Sequence, residues 1–107
     1  RFNYFSELMK HAAVMVGNSS SSIIEAASFG TPVINIGDRQ RLRERNANTV
    51  DVPAETQALG TALQQALARE RHPGHNRYGD GLAGARIVDL LIRLPLAASV
   101  LEKTNAY

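Results

Sequence analysis

Three short apolar runs, each closed by a helix-breaking residue, constrain this chain more than any other feature. Residues 13–16 end at Gly17, residues 33–36 at Gly37, and residues 49–52 at Pro53. Runs of about four apolar or β-branched residues between turn signals read as buried strands, since helices need about ten or more. Helical spacing fills the gaps. Phe5, Leu8, Met9 and Ala12 mark a short amphipathic helix over residues 2–12. Asn18 to Ser22 supply several N-cap residues, and Ile23, Ile24 and Ala27 are the packing positions of a helix running to residue 29. Gly30 suits its C-cap, and Pro32 prevents continuation. A helical turn or short helix is expected over residues 39–45. A clear helix follows over residues 55–71, with Leu59, Leu63, Ala66 and Leu67 on one face. Residues 72–81 hold Pro73, Gly74, Gly79 and Gly81 and form a loop. Helix resumes over residues 82–94 with Ile87, Leu90, Leu91 and Leu94 at core spacing. Pro95 interrupts it before a last helical stretch to about Lys103.

Strands alternating with helices imply right-handed crossovers and a parallel sheet. The expected fold is therefore α/β: a partial, Rossmann-like parallel sheet of about three strands with flanking helices. Complete sheets of this kind have about five or six strands, so this one reads as half of one. Its open edge is expected to pair with chain lying elsewhere in a longer protein or with another copy. The chain has 107 residues, the size of one domain, and opens on Arg1 without a Met or a signal-peptide pattern. Residues 1–107 are thus expected to be a single subdomain cut from a longer chain.

Composition narrows the function. There is no cysteine, which excludes disulfides, thiol chemistry and a Cys-ligated zinc site. No His/Asp pair has metal-ligand spacing, so no metal is expected. No apolar run approaches the ~18 residues that span a bilayer. A net charge of +2 is too small to argue for nucleic acid. The placement of the charge is more informative. Ten of the twelve cationic residues are Arg, and Arg39, Arg41, Arg43 and Arg45 fall within seven positions. Guanidinium is a planar fork of donors suited to phosphate or carboxylate, although a solvated helix face is the simpler reading of such a run.

In an open parallel sheet, ligands bind outside the carboxyl ends of the strands. Gly17-Asn18-Ser19-Ser20-Ser21-Ser22 lies at such an end and leads directly into a helix. Free backbone N–H groups, serine hydroxyls and short side chains make it a phosphate-site candidate. The alternative is a single serine cap with solvated neighbours. The turn is neither a P-loop nor a spaced-glycine dinucleotide fingerprint. Glu25 complements the helix dipole on a structural reading. On a functional reading it accepts hydrogen bonds from vicinal ribose hydroxyls, as acids do in nucleotide-binding sheets. Arg39 follows the next strand and projects from the same edge.

The stretch GNSSSSIIEAASFGTPVINIGDRQ, continuing through RLRER to NTVDV, closely resembles the C-terminal domain of UDP-N-acetylglucosamine 2-epimerases, in particular the hydrolysing, sialic-acid-pathway type. A second segment, NRYGDGLAGARIVDLL, resembles the NPYGDG turn and following helix of those enzymes. The two cover more than half the chain in the family's order. The resemblance implies the C-terminal half-domain of a GT-B-like, two-domain, glycosyltransferase-like enzyme. It assigns Ser19 and Ser20 to the UDP diphosphate, Glu25 to the ribose hydroxyls, and Arg39 to the phosphate side. Arg43 matches a family arginine. Ser stands at 22 and Leu at 42 where the family usually has Gly, and Arg77 replaces the Pro of the NPYGDG turn. A serine at 22 still caps a helix but crowds a diphosphate. Asp80 falls in the Gly-Asp-Gly turn and reads as a turn or cap residue.

Enzymes of this type eliminate UDP from UDP-N-acetylglucosamine and add water to the glycal, giving N-acetylmannosamine. The family's proposed catalytic acids lie in an N-terminal domain and a substrate-binding His lies ahead of this segment, so no catalytic residue is assigned here. His11, His72 and His75 match no family position and read as structural or solvated. The resemblance implies a UDP-sugar substrate, no cofactor, a preceding N-terminal domain, a homo-oligomer, and a cytoplasmic protein bound to neither nucleic acid nor membrane. Two other readings stay open: the nucleotide half of a GT-B glycosyltransferase, and a non-catalytic module that binds nucleotide diphosphates.

Overall fold

A computed structural model describes residues 2–94, apart from the side chain of Phe2. The expected break at Pro95 and the last helical stretch lie outside the described residues. Helix α1 (Phe2–His11) leads to strand β1 (Met15–Gly17), followed by helix α2 (Ser20–Ile24) and a 3-10 helix (Ala26–Phe29). Strand β2 (Val33–Ile36) and strand β3 (Thr49–Val52) come next, then helix α3 (Thr56–Ala68) and helix α4 (Ala83–Arg93). The three strands form one parallel sheet in the order β1-β2-β3. In register, Gly17 lies beside Asn35 and Asn35 beside Asp51. The α/β, partial Rossmann-like architecture is as expected, and β2 and β3 have the expected bounds; β1, expected over residues 13–16, instead starts at Met15 and includes Gly17.

β2 is the centre of the core. Val33, Ile34 and Asn35 are buried, whereas Val16 on β1 and Val50 on β3 are nearly half exposed. Met9 of α1, Ala26 of the 3-10 helix and Val33 form one apolar cluster, with Met15 and Phe29 packed against it. The α1 stripe is narrower than its spacing suggests, because Leu8 is largely exposed. On α3, Ala62 is the buried residue, and Leu67, expected on the packing face, is mostly exposed.

Three expected elements differ in kind. The helix expected over residues 23–29 starts earlier, at Ser20, and splits after Ile24. The Glu25 amide closes the last α-type bond to Ser21, and the next bonds, Ser28 to Glu25 and Gly30 to Ala27, are of the tighter i to i+3 type. Gly30 then ends the segment in the left-handed region, at φ 67°. A Cβ at Gly30 would also collide with the His72 carbonyl, so the position needs glycine twice over. Second, residues 39–45, expected as a helical turn or short helix, form no helix but successive turns, through Arg41 N–H to Asp38 O and Arg43 N–H to Gln40 O. Third, α4 forms as expected but buries none of its residues, with Ile87, Leu90 and Leu91 all more than half exposed. Its spacing defines an apolar face that nothing among the described residues covers.

Polar side chains do much of the remaining fastening. The Thr31 hydroxyl donates to the Met9 carbonyl at 2.7 Å. Arg71 donates to the carbonyls of Lys10, Ala12 and Phe29 and to the Thr31 hydroxyl, at 2.7 to 3.1 Å. One guanidinium thus satisfies carbonyls at the end of α1 and ties α1 to the start of β2. His72 donates its backbone amide to Gly30 O, and His11 and His75 are exposed.

Candidate functional site: the serine turn and the arginine loop

The carboxyl ends of β1 and β2 carry the two segments that the sequence singled out. Ser19, extended at φ −80° and ψ 144°, is the N-cap of α2. Its hydroxyl accepts a long bond from the Ser21 amide (3.4 Å) and lies 2.9 Å from the Ser21 hydroxyl. Ser22 is buried, and its hydroxyl donates back to the Ser19 carbonyl at 2.6 Å. The cap is therefore Ser19 rather than Ser22. The Ser22 side chain is folded into the turn and does not project beyond it. No hydrogen bond among the described residues engages the Ser20 hydroxyl.

Arg39 approaches this turn from the next loop. Its Nη1 is 3.4 Å from Asn18 Oδ1, and both residues are exposed. Gln40, beside it, is buried and donates Nε2 to the Asn18 carbonyl at 3.0 Å. The structure thus brings Arg39 and Gln40 to Asn18, the residue that opens the serine turn. The Arg43 guanidinium is exposed, and no hydrogen bond or ion pair among the described residues brings it to the turn.

Glu25 needs a correction. Expected one and a half turns into a single helix, it stands instead at the C-cap of the five-residue α2 and at the N-cap of the 3-10 helix, where its side chain makes no capping bond. Its half-buried side chain instead lines a groove of about 440 Å³, together with Met9, Ile24, Phe29, Asn76 and Tyr78. That groove joins the two stretches that carried the sequence resemblance. Asn76 donates to the Ile24 carbonyl (2.6 Å) and to the Ser28 hydroxyl (2.9 Å). Asn46, buried, donates to Asn76 Oδ1 and accepts from the Arg77 amide at 2.9 Å. A proline at 77 would lack that donor, so arginine here gains a backbone bond. Asp80 accepts from the Leu82 amide at 3.0 Å and pairs with Arg86, confirming it as a turn residue ahead of α4. The Arg86 guanidinium and that amide hold its carboxyl well below the usual carboxylate range.

Several residues that shape the site carried no signal in the sequence reading. Arg45 is the foremost. Its Nε and Nη2 clasp the Asp51 carboxylate at 2.9 to 3.1 Å, while Nη1 donates to the carbonyls of Gln40 and Arg43 at 2.6 Å. Asp51 also accepts from Asn35 at 2.7 Å. The hydrogen bond from Arg45 lowers the Asp51 pKa, and Asn35 adds to the effect. Only the density of Arg and Asn between β2 and β3 hinted at this network. Among the described residues, no cluster of three His, Cys, Asp or Glu is placed to hold a metal ion. Nor is any helix among them long and apolar enough to cross a membrane.

Comparison with known proteins gives this geometry its context. The family model for UDP-N-acetylglucosamine 2-epimerase matches residues 1–92. The chain is 46% identical over 103 residues (96% of its length) to a Legionella pneumophila protein named UDP-N,N'-diacetylbacillosamine 2-epimerase (hydrolyzing), covering 27% of that protein. It is 38% identical over 81 residues (76% of the chain) to a Neisseria meningitidis UDP-N-acetylglucosamine 2-epimerase, covering 22% of it. A Campylobacter jejuni GDP/UDP-N,N'-diacetylbacillosamine 2-epimerase (hydrolyzing) is 46% identical over 66 residues, 62% of the chain and 17% of that protein. The chain therefore spans about a quarter of the length of the first two relatives. With the family model matching most of its residues, the chain belongs to the UDP-N-acetylglucosamine 2-epimerase family.

Proposed function

We propose that this chain is the UDP-holding part of a hydrolysing UDP-sugar 2-epimerase, acting with an N-terminal domain in the same enzyme. The observation that carries the reading is the meeting of Arg39 and the Ser19–Ser20 turn at Asn18, on the carboxyl rim of a sheet whose sequence belongs to this family. The family's fold is GT-B-like, and a three-stranded parallel sheet with flanking helices is the expected half of one of its domains. Two of the relatives are named as hydrolysing enzymes, which supports that outcome over simple epimerisation.

In this reading the serine amides and hydroxyls, with Arg39, take the diphosphate, and Glu25 takes the ribose hydroxyls from its groove. Arg43, exposed on the same loop as Arg39, is the more peripheral phosphate ligand in this reading. These groups stabilise charge developing on UDP as it leaves, a contribution that is greatest in a site closed to water. Acid–base chemistry at the sugar belongs to residues outside this chain, so the chain alone should release no UDP from UDP-N-acetylglucosamine above background in a coupled assay. N-acetylglucosamine and N,N'-diacetylbacillosamine are the sugars named for the relatives, and the choice between them lies with the other domain.

Ser20→Ala tests the site in the full-length protein, with Ser28→Ala as control. Ser28 is spent on Asn76, at the far end of the helical segment. Losing one hydrogen bond to a charged ligand costs about 1.5–3 kcal/mol, or one to two decades in affinity. Calorimetric titration with UDP should show that loss for Ser20→Ala and little change for Ser28→Ala. Equal curves would end the phosphate assignment.

A further inference from the structure

The loop between β2 and β3 holds its shape without a helix or strand, yet it carries Arg39. Its anchor is a chain of hydrogen bonds that starts in the sheet. Asn35 of β2 donates to Asp51 of β3, and Asp51 receives the Arg45 fork. The remaining Arg45 nitrogen donates to the carbonyls of Gln40 and Arg43 at 2.6 Å. The Gln40 side chain, 6% exposed, then donates to the carbonyl of Asn18, the residue immediately before the Ser19 cap. This is the part-buried link between the loop and the turn; the Arg39–Asn18 contact beside it is exposed and long.

We infer that Gln40 and Arg45 are positioning residues that fix the spacing between Arg39 and the serine turn, so that a diphosphate meets two elements already in place. The inference rests on the proposed UDP site and deepens it. Neither residue touches the ligand. Their effect is to remove an ordering cost: an unanchored twelve-residue connection between β2 and β3 would have to be immobilised at each binding event. Arg45 suits the task because a guanidinium offers five donors in one plane and here uses four of them on three partners. Lysine cannot span Asp51 and two carbonyls at once.

The test uses Gln40→Met and Arg45→Lys in the full-length protein, titrated calorimetrically with UDP, inorganic pyrophosphate and uridine. Methionine keeps the volume of Gln40 and removes its donor. The Asn18 carbonyl it abandons belongs to an exposed residue and can turn to water, so the fold is retained. Both variants should bind UDP and pyrophosphate about tenfold more weakly, the scale of one hydrogen bond's worth of lost preorganisation, with uridine unaffected. Unchanged UDP and pyrophosphate affinities would overturn the inference. So would parallel loss for all three ligands, which marks a generally loosened fold. The Ser20→Ala titration separates the two levels. If Ser20→Ala leaves UDP binding intact, the site itself is wrong; if it weakens UDP and Gln40→Met does not, only the positioning role fails.

Discussion

The region around β2 and helix α4 both carry large apolar side chains, and these end in opposite states. Around β2, Ile23, Ala27, Val33 and Ile34 are almost fully buried, and buried Asn35, Asn46 and Asn48 bind the loops to them. On α4, Ile87, Val88, Leu90, Leu91 and Ile92 are each more than half exposed. The difference teaches that a helical spacing specifies a face, not a partner. The rim finds its partners within about fifty residues of chain, whereas α4 follows a loop held mainly by Asn76 and Tyr78 and meets no core there.

Truncating side chains in the two regions breaks or upholds this contrast most strongly. Ile23→Ala should destabilise the protein by about 2–5 kcal/mol, the cost of a buried cavity. In the 107-residue chain, Leu91→Ala should stay within about 0.5 kcal/mol. Urea unfolding followed by circular dichroism measures both, and similar losses would mean that α4 is covered after all.

Glycines sharpen the comparison at a smaller scale. Gly30→Ala places a Cβ against the His72 carbonyl in a left-handed residue, and should cost about 2 kcal/mol or more. Gly84, inside α4, has open space around it, so Gly84→Ala should stabilise by about 0.5–1 kcal/mol. Thermal melts of the two variants should move in opposite directions.

The smallest effect concerns acid. Because Arg45 depresses the Asp51 pKa, the pair's stabilisation is complete above the ordinary carboxylate pKa and is lost as pH falls through the lower, folded value. Stability should decline below about pH 4. Asp51→Asn should remove part of that decline while lowering stability at neutral pH. An unaltered acid limb in pH-resolved unfolding would separate the Arg45 fork from the stability of the rim.

The parts of this molecule legible in its sequence were those with a local code. Gly37 and Pro53 follow directly on β2 and β3, and Gly30 ends the segment after α2 where its left-handed angle is needed. The Ser19 cap and the Asp80 turn follow the same logic of short-range hydrogen bonding. What escaped was set by distant partners. Gln40, Arg45 and Asn46 are polar residues in a polar loop, with nothing local to show that they turn inward to Asn18, Asp51 and Asn76. Glu25, expected well inside a single helix, instead joins α2 to the 3-10 helix, and no local signal in residues 20–29 marks that split.

That displacement makes Glu25 the most direct probe of the central claim, that this chain holds UDP. Between the two short helical segments the Glu25 carboxylate makes no capping bond, so Glu25→Gln should leave stability nearly unchanged. If Glu25 takes the ribose hydroxyls, the substitution exchanges a charge-assisted contact for a neutral one. UDP affinity should then fall about tenfold or more. Inorganic pyrophosphate, which has no ribose, should bind both forms alike. Paired calorimetric titration of the full-length wild type and Glu25→Gln with the two ligands decides the matter. A loss confined to UDP is the predicted result; a loss for both ligands, or for neither, contradicts it.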